Sequence, residues 1–90
     1  MLYMVIEHFK NREAIPVYRR FREKGRMTPE GLQYVESWVE INFDRCFQLM
    51  ECDDACLLEE WAANWRDLVE FEFVPVRASR QAPELLAPKL

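Results

Sequence analysis

Four glutamates of this chain recur at strand-like spacing. Glu7, Glu36, Glu70 and Glu72 each sit beside large apolar residues, and Gln48 stands between Phe47 and Leu49 with Cys46 and Met50 two residues away on either side. Carboxylates that share a half-buried surface with aromatic rings have raised pKa values and can give or take protons. The candidate catalytic residues are therefore Glu7 and Glu36 as acid or base, with Gln48 as a polar partner. Tyr3, Tyr34, Trp38 and Met50 would wall a small-molecule pocket with Gln48 at its polar end. The plainer alternative leaves the same glutamates at a rim, in water or paired with arginines.

Other reactive types offer less. His8 is the only histidine, and its phase on the first strand points it with Leu2, Met4 and Ile6 towards the helices, as a strand-end residue. No Cys/His spacing fits a zinc site, so no metal ligand and no cofactor is assigned. Cys52 and Cys56 straddle a strand end and a helix start, where a thiol pKa can fall, yet Asp53 and Asp54 oppose a thiolate. Both read as buried structural thiols, and Cys46 as packing. Arg19, Arg20, Arg22, Lys24 and Arg26 form a basic run. Most of it reads as a solvated face of locally paired charges. Arg26 is different, because it follows a helix-ending glycine and could reach over the cavity mouth to hold an anion or carboxylate. Trp61 and Trp65, with Leu58 and Ala62, read as packing under a helix.

These residues need elements to position them. Residues 2–9 alternate two apolar sets and read as a strand. Asn11 is a candidate cap for a helix that carries Ile15, Tyr18 and Phe21 and ends at Gly25. Met27-Thr28-Pro29-Glu30-Gly31 is turn chemistry. Residues 32–41 and 45–52 read as strands joined through Asn42-Phe43-Asp44. Asp53 or Asp54 caps a second helix through Trp65. A last strand covers 69–77, near Pro75. The order is β-α-β-β-α-β, the split βαβ or ferredoxin-like pattern: an α+β fold with a four-stranded antiparallel sheet and two helices on one face. Residues 1–77 form this domain. Residues 78–90, with Pro83 and Pro88, form a tail outside the core or packed on a partner subunit, with one turn at Glu84-Leu85-Leu86.

Alternation sorts the strands into two faces. Leu2, Met4, Ile6, Val35, Val39, Phe47, Leu49, Phe71 and Phe73 are expected beneath the helices. Tyr3, Val5, Glu7, Tyr34, Glu36, Trp38, Cys46, Gln48, Met50, Glu70, Glu72 and Val74 are expected on the other face. That second set is too greasy to stand in water. The expected cover is a second copy, sheet to sheet about a two-fold axis, as a dimeric α+β barrel with an inter-sheet cavity.

Ninety residues make one domain, half of it hydrophobic, with a net charge of −4. The negative charge argues against nucleic-acid and anionic-membrane partners. No apolar run approaches the roughly 20 residues that span a bilayer. The N-terminus lacks the basic region of a signal peptide, and three cysteines suit a reducing compartment, so the expected location is cytoplasmic.

The stretch Leu2-Tyr3-Met4-Val5-Ile6-Glu7, the segment Gly25-Arg26-Met27 with Pro29 and Gly31, Ser37-Trp38-Val39, Arg45-Cys46-Phe47-Gln48-Leu49-Met50-Glu51, and Phe71-Glu72 with Val74-Pro75-Val76 together resemble the small bacterial DUF3303 family, over residues 1 to about 77. That family's function is unknown, so the resemblance implies no catalytic residues. Its kinship with dimeric α+β barrels implies the same fold as the strand pattern. The expected function is a non-catalytic homodimeric module for a small apolar or amphipathic ligand. The alternatives are a cofactor-independent monooxygenase- or isomerase-like enzyme using a cavity carboxylate, and a purely structural or regulatory module. No P-loop, dinucleotide fingerprint or nucleophile elbow occurs.

Overall fold

The computed structural model describes residues 1–90. Strand β1 (Leu2–Phe9) leads to helix α1 (Ala14–Lys24), strands β2 (Gln33–Val39) and β3 (Arg45–Glu51), helix α2 (Cys56–Ala62), strand β4 (Val69–Val76) and a short helix α3 (Ala82–Leu86). The sheet order is β2-β3-β1-β4, and every neighbouring pair is antiparallel. This is the α+β, ferredoxin-like arrangement that the element pattern predicts. No helix is long and apolar enough to cross a membrane.

Local chemistry explains most boundaries. Gly25 has φ 71°, ψ −163°, a conformation closed to residues with a Cβ, and its N–H donates to the Phe21 carbonyl at 2.8 Å, so α1 stops there. Asn11 is not the cap. It lies in a 3-10 turn, Lys10–Arg12, with φ 57°, and Glu13 precedes α1 without a side-chain bond. Asp54 rather than Asp53 serves the second helix, its Oδ1 accepting the Cys56 N–H at 2.9 Å. Beyond Ala62 the chain tightens, with Asn64 N–H to the Trp61 carbonyl at 3.0 Å and Trp65 N–H to the Ala62 carbonyl at 2.9 Å. That extra turn sets Trp65 beside Trp61 over the sheet. Pro75 sits within β4, which tolerates it because β4 is an edge strand. The tail holds more helix than one turn. It runs through a turn at Ser79–Gln81, α3, and a turn at Ala87–Lys89. It leaves Leu85 and Leu86 exposed and helps stretch the molecule to 49 × 31 × 17 Å.

The faces of the two central strands are the reverse of the expectation. Residues directly opposite in antiparallel strands share a face. Val5, Glu7 and Phe9 of β1 and Cys46, Gln48 and Met50 of β3 are all buried under the helices. Tyr3 is on that side too, because it pairs with Met50. Leu2, Met4, Ile6, Phe47 and Leu49 instead occupy the open face. β4 keeps its expected phase, with Phe71 and Phe73 inward and Glu70, Glu72 and Val74 outward. In β2 an irregularity between Tyr34 and Glu36 splits the phase. Tyr34, opposite Met50, faces the helices, while Glu36 and Trp38, opposite Leu49 and Phe47, stay on the open side.

A period-2 pattern gives no phase when both sets are apolar, and a one-residue slip moves a whole strand's side chains. The helices take the mixed face because the loop after α1 carries Arg26, which satisfies Gln48, and Gln48 in turn satisfies Glu7. A face of Leu, Met and Ile demands nothing and can wait for a partner.

Trp61 is 1% exposed, whereas Ile15, on the helical stripe of α1, is 66% exposed. Trp61→Ala is expected to cost about 3–5 kcal/mol in urea denaturation. Ile15→Ala is expected to cost less than about 0.5 kcal/mol. Similar costs for the two would contradict this placement of the core.

Candidate functional site

The loop between α1 and β2 is strained and held. Gly25 and Gly31 have positive φ, and so does Met27 at 60°, a conformation that costs a side-chain-bearing residue about 1–2 kcal/mol. Such strain persists where surrounding bonds over-determine it. Here the end of α2 supplies them. The Trp61 and Trp65 indoles both donate to the Arg26 carbonyl, at 2.9 and 3.1 Å, and Asn64 Nδ2 donates to the Met27 carbonyl at 3.2 Å.

The Arg26 side chain is fixed as firmly as its backbone. Its guanidinium lies 3.6 Å from the centroid of the Tyr34 ring and 5.1 Å from that of Phe21. Its Nε donates to Gln48 Oε1 at 2.9 Å, and Gln48 Nε2 donates to Glu7 Oε2. Arginine only donates and a carboxylate only accepts, so this chain sets the orientation of the Gln48 amide. Arg26 and Glu7 do not form a direct ion pair; Gln48 stands between them.

These three groups face a cavity of about 110 Å³ between the sheet and the helices. Phe9, Cys46 and Ser37 line its sheet side, Val17, Tyr18 and Phe21 come from α1, and Trp61 and Trp65 close the other flank. Tyr18 and Phe21 are partly exposed and form the rim. Burial pushes the Glu7 carboxyl up to about 7, against smaller lowering effects from the Gln48 hydrogen bond and the Arg26 charge. Burial, with Glu7 nearby, pushes the Cys46 thiol up to about 12. Tyr18 is raised too, chiefly by burial. The site thus holds one carboxyl poised near neutrality, one fixed cation, and apolar walls.

Of the sequence candidates, the structure brings together Glu7, Gln48 and Arg26, with Tyr34 stacked on the arginine. Tyr3 and Met50 share the helix-covered face but do not line the cavity. Glu36 and Trp38 lie on the opposite face of the sheet, apart from the site. The cavity is therefore within one chain, beneath the helices, and not between two sheets. The sequence reading missed the tryptophans' role. Its available signal was the pair of indole N–H groups four residues apart, which must find acceptors once buried.

The remaining candidates fall elsewhere. His8 is exposed and turns to the open face rather than to the helices, opposite Arg45 and Glu70. Cys52 is buried as expected, but Cys56 is exposed, and its thiol is raised by the hydrogen bond to Asp54. From the basic run, Arg20 reaches across to Asp67 with two bonds of 2.7 Å rather than pairing on its own helix. No cluster of three or more His, Cys, Asp or Glu is placed to hold a metal ion.

A family model described as a domain of unknown function, DUF3303, matches residues 1–90, so the match runs through the tail as well as the sheet domain. Neither curated proteins nor solved structures yield a match.

The buried carboxyl has a consequence for stability. Glu7 has an ordinary value of 4.5 and a folded value of about 7, so the folded chain holds a proton that the unfolded chain releases. Stability from this group is full below about pH 4.5, falls as pH climbs to about 7, and is level above. The loss is on the order of 3 kcal/mol. Urea denaturation from pH 4.5 to 8 is expected to show that slope, and Glu7→Gln to flatten it. An equal slope in the variant would assign the titration elsewhere.

Proposed function

The chain belongs to the DUF3303 family, and we propose that it binds a small amphipathic molecule in the cavity between its helices and its sheet. The observation that carries this reading is the fixed guanidinium of Arg26 at an apolar-walled hollow. Its Nε is engaged by Gln48, while its two terminal nitrogens have no partner in the protein. A pre-ordered arginine fork suits a carboxylate or another anionic oxygen. Size narrows the occupant. Pockets for drug-sized ligands measure roughly 300–1,000 Å³, and an apolar hole of about 150 Å³ admits benzene. A volume of about 110 Å³, smaller than that hole and open past Tyr18 and Phe21, suits a short chain or a single ring only partly inserted, with a polar end. Three free thiols are the reason to place this module in the reducing cytoplasm.

Native mass spectrometry of freshly purified protein and a thermal-shift series with single-ring carboxylic acids and ketones test the reading. A ligand at about 100 times its Kd adds about 2.7 kcal/mol of stability, which for a domain of this size raises Tm on the order of 10 °C. Arg26→Ala is expected to abolish the shift. Bare protein, with no shift from any member of the series at millimolar concentration, would sink the proposal.

A second reading concerns the open face and rests on a separate observation. Met4, Ile6, Trp38, Phe47, Leu49 and Val74 share the side of the sheet that no helix covers. Trp38 alone is 53% exposed. An apolar sheet face interrupted by Glu36, Glu70 and Glu72 favours a self-complementary partner, and we take that partner to be a second copy about a two-fold axis. Sedimentation at about 10 µM is expected to give twice the 10.9 kDa chain mass, and Phe47→Glu to halve it. A wild-type monomer under those conditions would remove this reading and leave the cavity proposal standing.

A further inference from the structure

We propose that the cavity carries out proton transfer on its ligand: Glu7 serves as general base and then general acid towards a small carbonyl compound, and Arg26 holds the oxygen on which negative charge develops. This rests on the binding reading above and names a reaction class for it, a carbonyl isomerisation or enolisation.

The placement of free atoms carries the inference. Glu7 is the one carboxylate that lines the cavity, and Arg26 the one cation. Glu7 Oε2 accepts from Gln48, and its other oxygen takes no hydrogen bond from the protein. No side-chain oxygen or nitrogen of the protein is both fully buried and unpartnered, so that second oxygen is not sealed off, and Glu7 is among the residues that line the cavity. The terminal nitrogens of Arg26, another lining residue, are likewise unpartnered and not sealed off. Gln48 binds each group through a different atom and keeps the two from collapsing into an ion pair, which would silence both. A base and an oxyanion donor, held apart by Gln48 in one apolar-walled cavity, are what removal of a proton beside a carbonyl requires.

The step balances within the ligand. A carboxylate oxygen takes the proton from the carbon next to the carbonyl. The C–H electron pair becomes a carbon–carbon π bond, and the carbonyl π pair moves onto oxygen, against the Arg26 N–H groups. In a β,γ-unsaturated ketone, return of the proton to the γ carbon reforms the carbonyl and moves the existing carbon–carbon double bond into conjugation with it. Glu7 ends as it began, and no oxidant, reductant or second substrate takes part.

The surroundings fit this role. The other titratable groups facing the cavity are Cys46 from β3 and Tyr18 from α1, while α2 and the turn after it present only the Trp61 and Trp65 indoles. Burial raises both the thiol and the phenol, so neither is a base near neutrality. The Glu7 carboxyl, at about 7, is present in both forms at neutral pH, as a group that takes and returns one proton should be.

The probe is cyclohex-3-enone, a single ring whose conversion to cyclohex-2-enone is read by the absorbance of the conjugated product. Wild-type protein is expected to show a thermal shift with the ring ketone and turnover that rises with pH through about 7. Glu7→Gln is expected to keep the shift and lose about 100-fold or more in rate. Glu7→Asp, which keeps the charge but withdraws it by one methylene, is expected to bind and lose at least about tenfold, and serves should the glutamine variant not fold. A thermal shift without turnover above that of acetate at equal concentration overturns the catalytic assignment and leaves the binding reading. Turnover that survives Glu7→Gln or is unchanged in Glu7→Asp overturns it too. Absence of both shift and turnover overturns the two together.

Discussion

Arg26 is the residue on which this architecture turns. Its carbonyl receives two indole N–H groups, and its guanidinium lies on Tyr34 and donates to Gln48. Through these bonds one residue joins the end of α2, the loop after α1, β2 and β3. The helices and the sheet would otherwise meet only through apolar contact, which is non-directional and tolerates sliding. A buried polar chain with one satisfying geometry selects a single arrangement. The cost is a Glu7 carboxyl kept where water barely reaches it, and the raised value of that group is the sign of the cost.

The backbone around Arg26 shows the same economy of position. Three residues of positive φ lie within seven positions, from Gly25 to Gly31. Gly25 frees the chain from α1, and Gly31, with the Leu57 side chain 3.1 Å from where a Cβ would stand, lets the loop pass close to α2. The loop could not be shortened or straightened without losing the carbonyl that the tryptophans clasp. Strand pairing fixes Glu7 and Gln48, helix ends fix the indoles, and the loop brings the arginine to both.

Much of this was legible in the residues. The order of elements follows from alternation and turn chemistry, and Gly25 announced the end of α1. Glu7, Gln48 and Arg26 stood out as the polar members of an otherwise apolar set. What stayed hidden was which face of β1 and β3 the helices would choose. Leu2, Met4 and Ile6 look like the better core, and Val5, Glu7 and Phe9 look compromised by the glutamate. The choice rests on partners from other elements, Arg26 in the loop after α1 and the two tryptophans beyond β3, and no local pattern contains them. Register was the usable constraint. Phe71 and Phe73 pair with Glu7 and Val5, so a β4 that turns its phenylalanines inward carries Glu7 inward with it. The irregularity in β2 was hidden for a related reason, since Tyr34-Val35-Glu36 reads as unbroken alternation.

The three tryptophans divide between the two faces of the sheet. Trp61 and Trp65 wall the cavity, while Trp38 stands on the side that no helix covers. Indole emission depends on the polarity and mobility of what touches the ring. The chain therefore carries two built-in optical reporters, one for an occupant beneath the helices and one for a neighbour across the sheet. With Trp38 exchanged for phenylalanine, or Trp61 and Trp65 for the same residue, each signal can be followed without the other and without an added dye.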